Sequence, residues 1–202
     1  GLTVDANGNF WISDEYGPFI IKADMNGTIL EKYGPGTGLP TILASRVPNR
    51  GSEGLTLDET GDLFALIQSP LNVDGKTAKT AKYTRIVEFN PTTKSTTMYS
   101  YPVDTGYKNT GAAKLGDITS IGHKQFLIIE QGKQQGHMQN RIYKIDLNGA
   151  TPISNTGDLE YGRLDGKIVP AKKELVLDLR AYGWNIEKAE GLALLPDRKT
   201  IA

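Results

Sequence analysis

The chain has 202 residues, enough for one or two domains, and its 23 Lys and Arg cancel its 23 Asp and Glu. That balance removes the long-range field on which a general nucleic-acid or anionic-membrane binder relies. With no cysteine, disulfides, zinc knuckles and thiolate catalysis are excluded, and with only His123 and His137 so is a three-histidine metal centre.

In chain order, Gly1 to Glu15 reads as two short apolar runs separated by a turn at Asn7-Gly8. Ile20 to Ala23 and Ile29 to Tyr33 flank Asn26-Gly27, the pattern of a hairpin through a primed turn. Pro40 to Ser45 is a short helical candidate. Glu53 to Gln68 repeats the opening plan, with its turn at Thr60-Gly61. A second hairpin follows from Arg85 to Phe89 and Thr96 to Tyr101, around Asn90-Pro91. Gly116 to Gln131 is a degenerate third copy, and Arg141 to Leu147 with Asn148-Gly149 opens a third hairpin. Leu179 to Tyr182 is again briefly helical, and Glu190 to Ala202 begins a fourth copy. Gly34 to Ser52, Asp74 to Tyr83, Tyr107 to Lys114 and Ser154 to Lys172 have loop composition. Glycine, at 23 residues, exceeds the usual level of roughly 7% because these turns consume it. No apolar run approaches the roughly 20 residues needed to span a bilayer, so membrane insertion is not expected.

Units of two inner and two outer strands, repeated at tens of residues, predict an all-β chain built as a β-propeller of four-stranded antiparallel blades. The blade boundaries fall at 1–52, 53–114, 115–189 and 190–202, the last incomplete. This is about three and a half blades, against the roughly four to eight of closed propellers. The expectation is therefore a segment of a longer propeller. An open β-sandwich is the alternative, and alignment of the repeats through both inner strands favours the propeller.

Equivalent positions on successive blades converge on the central axis. Glu53, Asp117 and Glu190 open the first inner strands, while Asp14-Glu15, Gln68-Ser69 and Glu130-Gln131 close the second. Carboxylates gathered at one channel mouth repel one another unless a hard cation joins them, and Ca²⁺ accepts six to eight oxygens. Asp14, Glu53, Asp117 and Glu190 are the expected metal ligands, with Ca²⁺ first among divalent ions. Capping of strand ends, or pairing with Arg50, Lys22 or Arg141, would explain the same carboxylates structurally. Arg50 can steady an oxyanion, and Glu15 or Glu130 can act as general base. Tyr16, Gln68 and His137 are candidates to line the substrate pocket. Trp11 reads as core, Trp184 as a lid or plug, and His123 as a solvated turn residue. No Gly-x-Ser-x-Gly elbow, Walker loop or His-Glu-x-x-His occurs.

Phe10-Trp11-Ile12-Ser13-Asp14-Glu15-Tyr16-Gly17-Pro18, Asn49-Arg50-Gly51-Ser52-Glu53-Gly54-Leu55 and Gln68-Ser69-Pro70-Leu71 occur in that order. With Arg141 to Leu147 and Glu190 to Asp197, they resemble the phytase-like family described as having esterase-like activity. The resemblance covers essentially the whole chain. It implies a propeller related in architecture to propeller phytases and, more distantly, to calcium-dependent lactonases. It marks Asp14, Glu15, Arg50, Glu53, Gln68 and Glu190 as motif positions. It also implies a secreted or periplasmic protein acting on a small-molecule ester or phosphoester. Departures are Asp117-Ile118, where members usually show Asp-Leu, and the absence of a Glu before Gly1. A non-catalytic binding module with a structural Ca²⁺ and a lactonase-like enzyme are the alternative readings.

Overall fold

The computed structural model describes all 202 residues. The protein is all-β: it has no α-helix and three sheets. The first sheet holds β1 (Leu2–Val4), β2 (Phe10–Asp14), β3 (Phe19–Ala23), β4 (Ile29–Pro35) and β5 (Gly38–Leu39). The second holds β6 (Ser52–Leu57), β7 (Leu63–Ile67), β8 (Tyr83–Phe89) and β9 (Thr96–Pro102). The third holds β10 (Lys114–Gly122), β11 (Gln125–Gln134), β12 (His137–Asp146) and β13 (Lys172–Asp178). Within each sheet the strands follow chain order and pair antiparallel, apart from the short parallel pair β4–β5. The two helical candidates are 3₁₀ turns, at Thr41–Ser45 and Leu179–Tyr182. No helix is long and apolar enough to cross a membrane.

The turns differ from the two-residue primed form. In Asp5 to Asn9, the Asp5 amide donates to the Asn9 carbonyl and the Gly8 amide to the Asp5 carbonyl, both at 2.9 Å. This is a three-residue loop closed by one left-handed glycine, with φ of 80° at Gly8, 82° at Gly27 and 86° at Gly61. A type I′ turn would need two such residues. The loop is chosen by the aspartate that opens it. Asp5 Oδ1 accepts the N–H of Asn7 and Asn9, both at 2.9 Å. Asp24 holds Asn26 at 2.9 Å and Thr28 at 2.8 Å, and Asp58 holds Thr60 at 2.8 Å and Asp62 at 3.0 Å. Asp-x-x-Gly is thus the spelling of the repeated turn, and each carboxylate satisfies donors that the turn would otherwise leave open.

Core packing follows from strand alternation. Trp11, Ile20, Leu55, Leu63, Ala65 and Phe89 fill a cluster between the first and second sheets. Phe64, Leu66, Ile86, Phe126, Ile128 and Tyr143 fill another between the second and third. Phe64 and Leu66 therefore face one neighbour while Leu63 and Ala65 face the other, so β7 is buried on both sides. Leu127 and Ile129, on the opposite face of β11, pack against Ala189, Leu192 and Ile201 of the C-terminal segment. Trp11 is core, as its strand context predicts, and its indole N–H donates to Asp5 at 3.0 Å. His123 is a solvated turn residue with a left-handed φ of 56°.

The third hairpin does not repeat the plan of the first two. After Asn148-Gly149 the chain crosses to the second sheet instead of returning along β12. The Ile153 amide bonds the Met98 carbonyl and the Ala171 amide the Ser100 carbonyl, both at 2.9 Å. The excursion thereby covers the open edge of β9 before β13 completes the third sheet. Its anchor is internal: Arg85 and Glu160, both fully buried, form a two-pronged ion pair at 2.8 Å on each prong. The remaining Arg85 donors reach the Ser154 carbonyl at 3.1 Å and the Thr156 carbonyl at 2.8 Å. At the C-terminus, residues 193–202 form a tight hairpin, with paired bonds of 2.8 and 2.9 Å between Ala193 and Ala202.

Candidate functional site

The three sheets meet where β2 ends and β6 and β10 begin. The Gly51 amide bonds the Glu15 carbonyl, the Gln68 amide bonds Gly51, and the Leu115 amide bonds Gln68, each at 2.8 Å. This backbone chain ties the first sheet to the third through the second. Two glycines permit the approach. A Cβ on Gly51 would lie 2.3 Å from the Glu15 carbonyl oxygen, and one on Gly54 would lie 2.8 Å from the Ile118 amide nitrogen. Any side chain at either position would push the sheets apart.

Glu53 stands at this junction. Its carboxylate accepts a hydrogen bond from the Gln68 amide and faces the Glu15 carboxylate closely enough to share a proton. Burial, reinforced by the Glu15 charge, pushes Glu53 up to about 7 from an ordinary 4.5. The Gln68 Oε1 atom is buried without a partner, as are the Ser52 and Ser69 hydroxyls in the residues alongside. Native interiors rarely leave such atoms unpaired. Burial also raises Asp117, although the Ile118 and Leu192 amides donate to it at 2.8 and 2.9 Å.

The expected site residues divide. Glu15, Glu53 and Gln68 come together, Asp117 adjoins them across Gly54, and Asp14 caps the turn at Gly17. Arg50 precedes Gly51 at the junction, and its hydrogen bond goes to the Gly111 carbonyl instead of to Glu53 or Asp14. Tyr16 is exposed, and only its backbone carbonyl is engaged, by Arg46 at 2.8 Å. Glu130 goes elsewhere. Alternation along β11 points it with Phe126 and Ile128 between the second and third sheets. There it accepts from Lys173 at 2.6 Å, Tyr101 at 2.8 Å and the Asp104 amide at 3.1 Å. With both oxygens engaged and no exposure, it is a structural carboxylate and not the base beside Glu53. His137 is exposed where β12 starts, opposite Gln134, across the β11–β12 turn. Glu190 is exposed and pairs with Lys188 at 2.9 Å.

A metal would need several of these oxygens at once. Asp14 Oδ2 is taken by the Gly17 amide at 2.7 Å, Asp117 by two amides, and Glu190 by Lys188. No three Asp, Glu or His side chains converge as a ligand group. Asp14, Asp117 and Glu190 are engaged in capping and pairing and do not converge on Glu53, so the four do not fit as a Ca²⁺ set in this arrangement. The sequence reading placed Ser69 beside Gln68 but gave neither Ser52 nor Lys188 a role; the Lys188 ammonium is raised mainly by its bond to Glu190 and in small part by the Glu53 charge. The only signal for them was adjacency to charged motif residues.

A family model described as Phytase-like, esterase-like activity of phytase, matches residues 1–202. A curated relative, an uncharacterized secreted protein of Arthroderma benhamiae, is 31% identical over 118 residues. That similarity covers 45% of this chain and 23% of the relative. The chain thus matches about a quarter of the length of that protein.

Proposed function

Because the chain belongs to the family described as Phytase-like, esterase-like activity of phytase, we propose that it is a hydrolase of small-molecule esters or phosphoesters. In this reading the three sheets are successive blades of a propeller, and the Glu15–Glu53 pair at their meeting point carries the chemistry. The observation that supports it is the Glu53 carboxyl, poised near 7 against a second carboxylate. Two carboxyl groups in one environment, separated in proton affinity, can supply an acid and a base at once.

Glu15 takes a proton from water, and the water oxygen bonds to the ester carbon or phosphorus. The bond to the leaving oxygen breaks as that oxygen takes the Glu53 proton. Glu15 then returns its proton to Glu53 across their contact, which restores the pair. Arg50, tethered through one nitrogen to Gly111, keeps its other donors for the developing oxyanion. The steps use no metal. We also read the protein as exported, in line with its secreted relative.

Nitrophenyl acetate and nitrophenyl phosphate test this directly. Glu53→Gln is expected to lower kcat about 10²–10⁴-fold, the usual contribution of general acid–base groups. Wild-type activity should decline as pH rises through about 7, where Glu53 loses its proton, and should survive EDTA. Wild-type turnover in Glu53→Gln would overturn the reading.

A further inference from the structure

Two loops distant in sequence border an open cavity of about 430 Å³ beside the third sheet. Lys79 and Lys82 come from the segment between β7 and β8, and Lys108 from the segment between β9 and β10. Contact between the loops is close. The Val103 amide bonds the Lys82 carbonyl at 3.0 Å, and a Cβ on Gly111 would lie 2.6 Å from the Ala78 carbonyl oxygen. Three lysines thus border one concavity, whose size falls within the roughly 300–1,000 Å³ of small-molecule sites.

The charge there is not cancelled by the walls. Asp104 also lines the cavity, but Lys173 at 2.6 Å, Arg141 at 3.4 Å and the Tyr143 hydroxyl already engage it. Lys82 shares its charge with Asp165, whereas neither the Lys79 nor the Lys108 ammonium has a carboxylate within ion-pair distance. The Thr110 hydroxyl in the wall is buried without a partner. Tyr107, also in the wall, keeps its phenolic proton, because burial and the Glu130 and Asp104 charges raise its pKa.

We propose that this cavity binds a phosphate-bearing small anion, held by the Lys79 and Lys108 ammoniums with Lys82 at the rim. Lysine binds phosphate as a point charge, without the planar fork by which arginine selects carboxylates, and several lysines from separate segments favour a multiply charged, non-planar group. The site does not depend on the hydrolytic reading. It adjoins that centre through one turn: Thr110–Ala112, whose Gly111 carbonyl holds Arg50.

Titration calorimetry of the full chain with inorganic pyrophosphate tests it, with citrate as a carboxylate comparison. Pyrophosphate should bind more tightly than citrate and weaken with added salt. Lys79→Gln/Lys108→Gln should lower pyrophosphate affinity at least tenfold without moving the thermal midpoint. Glu53→Gln should bind as wild type, which separates this site from the catalytic proposal. Lys167→Gln/Lys199→Gln, the same charge change on other exposed lysines, should leave affinity within about twofold, the scale of a screened long-range effect. Absence of binding at millimolar pyrophosphate, or equal loss in the two double variants, would overturn the proposal.

Discussion

Two groups of acids behave in opposite ways. Glu130 and Glu160 lie deep in the molecule with every oxygen answered: Glu160 by Arg85, Glu130 by Lys173, Tyr101 and a backbone amide. Glu15 and Glu53 instead face each other, with one amide donor on Glu53 and unpartnered oxygens nearby. The first arrangement fixes one packing of loops against sheets. The second stores a repulsion that Glu53 relieves by holding its proton to about 7. Residue type is shared, and Glu15 and Glu130 even share a position in the repeat, so what separates structure from chemistry is the partner, not the acid.

The largest expected effect comes from breaking a satisfied pair. Glu160→Gln leaves the Arg85 guanidinium buried without its counter-charge, a change that costs about 3–5 kcal/mol. For a chain of this size the thermal midpoint should fall by roughly 10 °C. The loss should appear as a looser 154–171 excursion in hydrogen exchange, since Arg85 is what holds the Ser154 and Thr156 carbonyls. A midpoint within about 2 °C of wild type would mean that the pair does not anchor the excursion.

Glu53→Gln should act in the other direction. A carboxyl whose folded-state pKa lies above its unfolded value favours folding when protonated. Stability is therefore full below about pH 4.5 and lost as pH rises toward and through about 7. Glutamine removes the repulsion from Glu15 and keeps an oxygen for Gln68. At pH 8 the variant should be more stable than wild type by about 2 kcal/mol, after allowance for solvent screening at a half-buried group, and near pH 4 the two should coincide. Gain of stability with loss of turnover would mark a strained functional pair. Equal melting at both pH values would show that Glu53 is as well satisfied as Glu130.

The all-β architecture, the hairpin succession and the inserted loops could be read from strand-length apolar runs and turn residues. So could the meeting of Glu15, Glu53, Gln68 and Asp117, because equivalent strand ends converge. Glu130 could not be placed. Its position in the repeat matches Glu15 and Gln68, and only the face it takes on β11, with Phe126 and Ile128, turns it away. The crossing of residues 148–171 to the second sheet was equally hidden, because Asp146-Leu147-Asn148-Gly149 spells the same turn as the true hairpins. What diverts the chain is the Arg85–Glu160 pair, 75 residues apart in sequence. Lys79 and Lys108 lie in segments that composition describes only as loops.

The smallest effect tests the satisfied side of the comparison at an exposed edge. At Asp5, burial pushes the carboxyl upward, but bonds from Asn9, the Trp11 indole and the Asn7 amide outweigh it and leave the pKa lowered. Such a group favours folding when ionised, so its contribution is complete above about pH 4 and fades as pH falls through the lowered folded value. Asp5→Ala strips the acceptor from both turn amides and from the indole of a core tryptophan. The cost at pH 7 should be about 1 kcal/mol, the usual price of an unmade cap, narrowing below pH 4 as wild type also loses the charge. A deficit that stays constant down to pH 2 would mean that Asp5 acts through shape alone. The Asp-x-x-Gly turns would then owe their form to the glycine, and not to the carboxylate that opens them.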